Sequence, residues 1–373
     1  MADNALFHNT LRPLIDSHLT LPRYIAPMSL RDLYGHEAAR ARLLSAARSD
    51  RLPQALLFEG PQGVGKQRLA LWLAQALLCE RQGESGGCGS CSACRMVTRL
   101  THPDVHWFVP LEPPKRAADA DKQVELVETA LSEVMADRRE RPLYEAPSGM
   151  AVHSIATVRL LLRQAALTPV VASHKVFIIG DAERLIPQRA SPDAANALLK
   201  LLEEPPADTI LVLTAADPEA LLPTIVSRVV RVRLRPLPDS VVTSFVQNEL
   251  NGEKGPVSEA EGRIGRLLAR IGSGSTRDRD PSAAFRAALR GSDADRYRMA
   301  LRQAPFQARG GFSDLLDDLL ERLQAEARKG TDPGRVAQAI SLVLEARDQA
   351  SGNVNPQLLM AVLADDLAGP AWP

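Results

Sequence analysis

Eight consecutive residues constrain this chain more than any other stretch. Gly60-Pro-Gln-Gly63-Val-Gly65-Lys66-Gln67 follows the short apolar run Ala55-Leu56-Leu57-Phe58-Glu59 and opens the helical pattern RLALWLAQALLC. A G-x-x-x-x-G-K segment placed between a strand and a helix can wrap its backbone N–H groups around a phosphate, and the helix N-terminus adds a favourable dipole. Lys66 would then meet the β- and γ-phosphates. The plain alternative is a Gly-rich turn without a ligand, and the strand–loop–helix setting argues against it.

The surrounding pattern predicts an α/β architecture followed by helices. Helices are expected from Leu30 (LRDLYGHEAARARLLSAARSD), from Lys66, in VELVETALSEVMADRRE, in IATVRLLLRQAAL and over Ala194–Leu202. Between them lie the strand-like runs ALLFE, VHWFV, KVFIIG, TILVLTA and VSRVVRVRL. Strands with continuous apolar runs, alternating with helices, indicate a parallel sheet covered on both faces. Beyond Pro236 the strands stop: DSVVTSFVQNEL and EAEGRIGRLLARIG read as helices, GSGSTRDRDPS as a linker, and the remainder to about Leu367 as four helices. The expected organisation is an N-terminal extension (1–29), a parallel-sheet domain (30–235), a small helical domain (236–275) and a C-terminal helical domain (276–373).

The phosphate-loop match fails at one informative place. The residue after the lysine should be Ser or Thr, whose hydroxyl ligates Mg²⁺; here it is Gln67. A second acidic site departs in the same direction. The strand KVFIIG should end in two acidic residues, one near the metal and one polarising water; Gly180 stands at the first position and only Asp181 remains. Asp181 could equally cap the next helix. These losses support a nucleotide-binding architecture and cast doubt on hydrolysis.

All four cysteines, Cys79, Cys88, Cys91 and Cys94, fall in one Gly/Ser-rich segment with spacing C-x8-C-x2-C-x2-C. Thiolates so close suit tetrahedral Zn²⁺, and a four-cysteine shell leaves no open position for catalysis, so the zinc would be structural. An iron–sulfur cluster and free thiols are the alternatives. The segment is expected to be an irregular knuckle whose tight turns use Gly86, Gly87 and Gly89.

Composition excludes some classes. The chain has 373 residues, too many for one compact core, and its 45 Lys plus Arg balance 45 Asp plus Glu. That balance carries no overall footprint of an autonomous nucleic-acid binder, and a single knuckle with few aromatics offers little surface for tracking phosphates or stacking bases. No apolar run approaches the roughly 20 residues needed to span a bilayer. The N-terminus has no signal-like apolar core, so a cytoplasmic location is expected.

Four stretches, in order, resemble the bacterial DNA polymerase III clamp-loader ATPases and their delta-prime relative. They are Arg51-Leu-Pro-Gln-Ala-Leu-Leu-Phe-Glu-Gly-Pro-Gln-Gly-Val-Gly-Lys66, the cysteine knuckle followed by His102-Pro-Asp104, Asn196-Ala-Leu-Leu-Lys-Leu-Leu-Glu-Glu-Pro-Pro206, and Leu222-Pro-Thr-Ile-Val-Ser227-Arg228. The similarity covers roughly residues 30–240 apart from an insertion at about 111–150. It implies an AAA+ domain with a zinc knuckle (79–94), a helical lid and a helical collar. It also implies a hetero-pentamer with delta and tau/gamma subunits that loads a sliding clamp onto primer-template DNA. The Ser-Arg pair implies an arginine finger: Arg228 would reach a neighbouring subunit's ATP. The alternative is a surface Arg or an intrasubunit ion pair. Adjacent Glu203 and Glu204 point in different directions on a helix and are expected to form a solvated helix end that contacts the next subunit, not an acid/base pair. Gln67, Gly180, the lid stretch Gly262-Arg-Ile-Gly265-Arg266 and the lack of a long Pro-rich extension favour the delta-prime form over the hydrolysing tau/gamma motor. Gly60, Gly63, Gly65, Lys66, Gln67 and Asp181 would then form a vestigial nucleotide site, with ATP and Mg²⁺ open in this subunit.

Overall fold

The computed structural model describes residues 33–112, 119–140, 151–185, 193–250, 257–272, 282–302, 309–330, 332–350 and 354–368. The expected N-terminal extension lies outside them, as do most of the linker and the ends of the 111–150 insertion.

Helix α1 (Glu37–Arg48) leads to β1 (Ala55–Glu59), α2 (Lys66–Leu78), α3 (Ser92–Thr98) and β2 (Val105–Phe108). Next come α4 (Ala120–Glu140), α5 (Ile155–Ala165), β3 (Lys175–Ile179), α6 (Asp193–Glu203), β4 (Thr209–Ala215), α7 (Pro223–Val226) and β5 (Val230–Arg233). All four strand pairings are parallel, and the sheet order is β2-β3-β4-β1-β5.

The strands alternate between two cores. Leu57, Phe177, Ile179, Leu211 and Leu213 face the layer of α4, α5 and α6, whereas Leu56, Phe58, Val176, Ile178 and Val212 face α1 and α2. Burial on both faces is why β1, β3 and β4 read as unbroken apolar runs. Truncating one such side chain, for example the fully buried Phe177, would cost about 3–5 kcal/mol.

Two buried polar residues at the lower rim fix the α5–β3 turn. Lys175 Nζ donates to the α5 carbonyl of Ala165 at 2.8 Å and to that of Leu167, satisfying acceptors that the helix end leaves free. Asp104, 1 % exposed, accepts the backbone N–H groups of Val170, Val171 and Ala172 at 2.6, 2.9 and 2.8 Å. The His102-Pro-Asp104 stretch therefore carries architecture.

Several boundaries differ from expectation. The first helix starts at Glu37, because Gly35 (φ 72°) and His36 (φ 60°) are left-handed and interrupt the helical path. The last part of the cysteine segment is not irregular: it forms α3, N-capped by Cys91 Sγ accepting from Cys94 N–H. Within the insertion, α4 turns Val124, Val127 and Leu131 inward, and a bridge between Leu111 and Val152 closes its base. Beyond the sheet, α8 (Asp239–Glu249) is followed by two helices where one was expected, α9 (Val257–Ala260) and α10 (Ile264–Gly272). Left-handed Glu261 and Gly262 separate them, and the Gly262 carbonyl accepts from Leu237 N–H at 2.8 Å.

The C-terminal part holds five helices among the described residues, not four: α11 (Ala283–Leu289), α12 (Asp293–Leu301), α13 (Arg309–Lys329), α14 (Pro333–Ala350) and α15 (Pro356–Ala368). They share a core of their own built on Phe285, Phe312, Leu316, Leu319 and Leu363. A Ser292–Asp295 capping box starts α12, whose polar composition hid it in the sequence. No helix among the described residues is long and apolar enough to cross a membrane.

Candidate functional site

The glycine loop connects β1 to α2, and Lys66 and Gln67 are the first two residues of that helix. Both are buried, at 5 % and 9 % exposure. The Lys66 ammonium is turned back on its own loop, donating to the carbonyls of Gly60 at 2.8 Å and Pro61 at 3.1 Å. Burial pulls its pKa down, opposed by the charges of Glu183 and Asp181.

Gln67 and Gly180 prove to be one feature. The Gln67 amide nitrogen donates to Asp181 Oδ2 at 3.2 Å. A β-carbon added at Gly180 would lie 2.8 Å from that nitrogen and 3.1 Å from the amide oxygen. The carboxamide thus fills the volume that a side chain at position 180 would need. Asp181 points its carboxylate at Gln67, while its N–H donates to Thr214 Oγ1 at 3.1 Å. Residues 182–185 form one 3₁₀ turn. Mg²⁺ demands octahedral oxygen ligands and room for water. With no hydroxyl at 67, no acid at 180 and an amide in the gap, this donor set does not fit it.

Two neighbouring residues were not singled out from the sequence. Glu183 Oε1 accepts from Ala216 N–H at 2.9 Å, and burial, reinforced by Asp181, pushes its carboxyl up to about 7. His153 donates from Nε2 to the Gly180 carbonyl at 2.7 Å; burial pulls it down to about 4, against the Gly180 bond and Asp181. The signal for Glu183 was its place in the Asp181-Ala182-Glu183 stretch that follows β3, in the 3₁₀ turn of residues 182–185. Nothing local marks His153, which arrives from the start of α5.

The loop is also closed from outside. Gly265 N–H, at the start of α10, donates to the Gly63 carbonyl at 2.8 Å. A β-carbon on Gly265 would come within 2.7 Å of Gly63 Cα, so the two backbones meet with no room for a side chain. His36 Nε2 donates to the Val64 carbonyl at 2.9 Å.

The four cysteines converge. Their Sγ atoms all lie within 4.8 Å of one another, with Cys79 and Cys91 3.9 Å apart. A tetrahedron with Zn–S bonds of about 2.3 Å has edges of roughly 3.8 Å, so the cluster fits a structural zinc. Backbone N–H groups of Arg81 and Cys88 point at Cys79 Sγ, and that of Cys91 at Cys88 Sγ. Such donors favour thiolates. The Ser90 amide and hydroxyl, with further donors, draw Cys88 down to about 5, whereas burial pushes Cys94 up. Gly86 and Gly89 adopt left-handed turns as expected, but Gly87 serves close approach: its β-carbon would sit 2.9 Å from the Gln75 carbonyl.

Arg228 lies between α7 and β5, away from the glycine loop. Its Nε donates to Glu203 Oε1 at 2.8 Å and its Nη2 to the same oxygen, while Nη1 donates to the Thr224 carbonyl at 2.9 Å and to Ser227 Oγ at 3.3 Å. Glu203, expected to be a solvated helix end, is therefore half of an intrasubunit ion pair at the surface.

A family model described as DNA polymerase III, delta subunit, matches residues 35–238. Curated relatives include the DNA polymerase III subunit delta' of Pseudomonas aeruginosa, 35 % identical over 189 residues, covering 51 % of this chain and 45 % of that protein. The delta' subunit of Bacillus subtilis is 29 % identical over 210 residues, 56 % of this chain and 50 % of that one. Subunit gamma/tau of Mycobacterium tuberculosis is 29 % identical over 260 residues, 70 % of this chain and 37 % of that one. The chain spans about half the length of the curated delta' relatives it matches. Among solved structures, a DNA polymerase III gamma subunit-related protein from Thermotoga maritima aligns with 15 % identity and a TM-score of 0.36, covering 87 % of this chain and 97 % of that one.

Proposed function

The chain belongs to the family of DNA polymerase III delta subunits, and on that premise we propose that it acts as the delta-prime member of a clamp loader, supporting ATP hydrolysis by its neighbours without hydrolysing ATP itself. The observation that carries this reading is the Gln67 carboxamide lodged in the space beside Gly180 and bonded to Asp181, where a hydrolysing subunit would hold Mg²⁺. Arg228 is the residue proposed to act in trans. A guanidinium is always charged and can fork across phosphate oxygens, which suits it to stabilise charge on a neighbour's transferred γ-phosphoryl.

The rest of the assembly follows from the same reading. The sheet domain is an AAA+ domain, residues 236–275 are its lid and residues 276–373 form a collar. The collar joins delta and tau/gamma subunits in a hetero-pentamer that places a sliding clamp on primer-template DNA in the cytoplasm. Cys79, Cys88, Cys91 and Cys94 hold a structural zinc that fixes the knuckle on α2.

A second reading is a hydrolysing tau/gamma-type motor. It is favoured by the gamma/tau relatives, which align over 70 % of this chain against 51 % for the Pseudomonas delta' subunit. The deciding experiment is clamp- and DNA-stimulated ATPase of the chain reconstituted with its partner subunits. For the delta-prime role, Arg228→Ala lowers turnover by about tenfold or more and Lys66→Ala leaves it nearly intact. For the motor, Lys66→Ala abolishes the chain's own turnover.

A further inference from the structure

Glu203 is the last residue of α6, where the negative end of the helix dipole disfavours a carboxylate. Helix stability gives no reason for an acid there. Its partner does. One Glu203 oxygen receives both Nε and Nη2 of Arg228, the edge of the guanidinium that would otherwise span two phosphate oxygens. The remaining nitrogen, Nη1, is held by the Thr224 carbonyl and Ser227 Oγ, and Ser227 Oγ itself donates to Thr224 O at 3.1 Å. The side chain is therefore held in one conformation with its fork occupied, on a surface where Arg228 is 32 % and Glu203 47 % exposed.

We propose that Glu203 is a positioning residue that competes with the neighbouring subunit's phosphates for Arg228, so that the guanidinium engages only by exchanging one anion for another. This rests on the reading of Arg228 as acting in trans. The exchange moves no covalent bond: the Nε and Nη2 hydrogen bonds pass from a carboxylate to phosphate oxygens, and Glu203 returns to water. An exposed ion pair holds its partners by at most about fivefold in population, enough to suppress idle engagement and weak enough for a polyphosphate to displace. The Thr224 and Ser227 contacts to Nη1 can persist through the exchange and keep the side chain in place.

The test uses the reconstituted assembly and steady-state ATPase across ATP concentration, with and without clamp and primed DNA. Glu203→Gln keeps the shape of the side chain and removes its charge. It is expected to raise turnover without clamp and DNA by two- to fivefold, to lower KM, and to leave the stimulated kcat near that of wild type. Because Glu203 acts through Arg228, the double variant Glu203→Gln/Arg228→Ala should match Arg228→Ala alone. If Arg228→Ala leaves turnover unchanged, the trans reading itself fails. If Arg228→Ala lowers turnover and Glu203→Gln changes neither the unstimulated rate nor KM, the trans reading stands and the competition is overturned. A fall in stimulated kcat for Glu203→Gln also overturns it, because the carboxylate would then be aiding engagement.

Discussion

Gln67 and Gly180 lie 113 positions apart in the chain yet divide one small volume between them. Gly180→Asp alone should therefore overpack that volume and destabilise the chain by about 1–3 kcal/mol. Gln67→Ala should relieve most of that penalty, so the double variant is more stable than the sum of the single changes predicts. Denaturant melts of the four proteins measure the coupling. Glu183 makes a separate, pH-dependent statement. Its carboxyl titrates near 7 in the folded chain and near 4.5 as a freely solvated side chain, so the folded state holds the proton more tightly between those values. The stability it contributes is fully present below about 4.5 and is lost as pH rises through 7. Glu183→Gln keeps an oxygen for Ala216 N–H and abolishes the ionisation. Its Tm should exceed that of wild type by a few degrees at pH 8 and hardly at all at pH 5.

At the scale of elements, the Asp104 carboxylate is what ties the α5–β3 turn to the start of β2. Burial pushes its pKa up, but the amides of Val170, Ala172 and Val171, aided by His102, outweigh that and hold it below the ordinary carboxylate range. Asp104→Asn would lose charge-assisted bonds to buried N–H groups and should cost about 2–3 kcal/mol, read as a lower denaturant midpoint with unchanged slope. Much of this layer was legible in the sequence. Strands β1, β3 and β4 showed themselves because burial on both faces demands unbroken apolar runs, and α2 because the glycine loop marks its start. The Gly35–His36 and Glu261–Gly262 breaks were not legible, since a non-glycine residue with positive φ is imposed by tertiary contacts and carries no local signature. The same holds for the site. Lys66, Gln67, Asp181 and the cysteines follow from motif spacing. The filling of position 180 by Gln67, and the pairing of Arg228 with Glu203, depend on distances between elements that no spacing encodes.

At the scale of the molecule, the sheet with a core on each face, the α8–α10 segment and the C-terminal bundle pack around separate apolar cores, which fits the length of the chain. The first two are joined backbone to backbone at Gly63 and Gly265. Gly265→Ala would push a methyl group to 2.7 Å from Gly63 Cα, and overpacking of this kind should cost about 1–3 kcal/mol. Hydrogen exchange at the Gly265 amide should rise in that variant while the β1, β3 and β4 amides stay protected. This seam also has a mechanical consequence. Where a nucleotide's phosphates separate a glycine loop from the helix above it, the angle between the two can report what is bound. Here the Gly63 carbonyl is already bonded to the Gly265 amide, so the angle is held by direct backbone contact. Hinging the α8–α10 segment away from the glycine loop therefore means breaking a backbone hydrogen bond and opening a gap between two glycines that no side chain can fill.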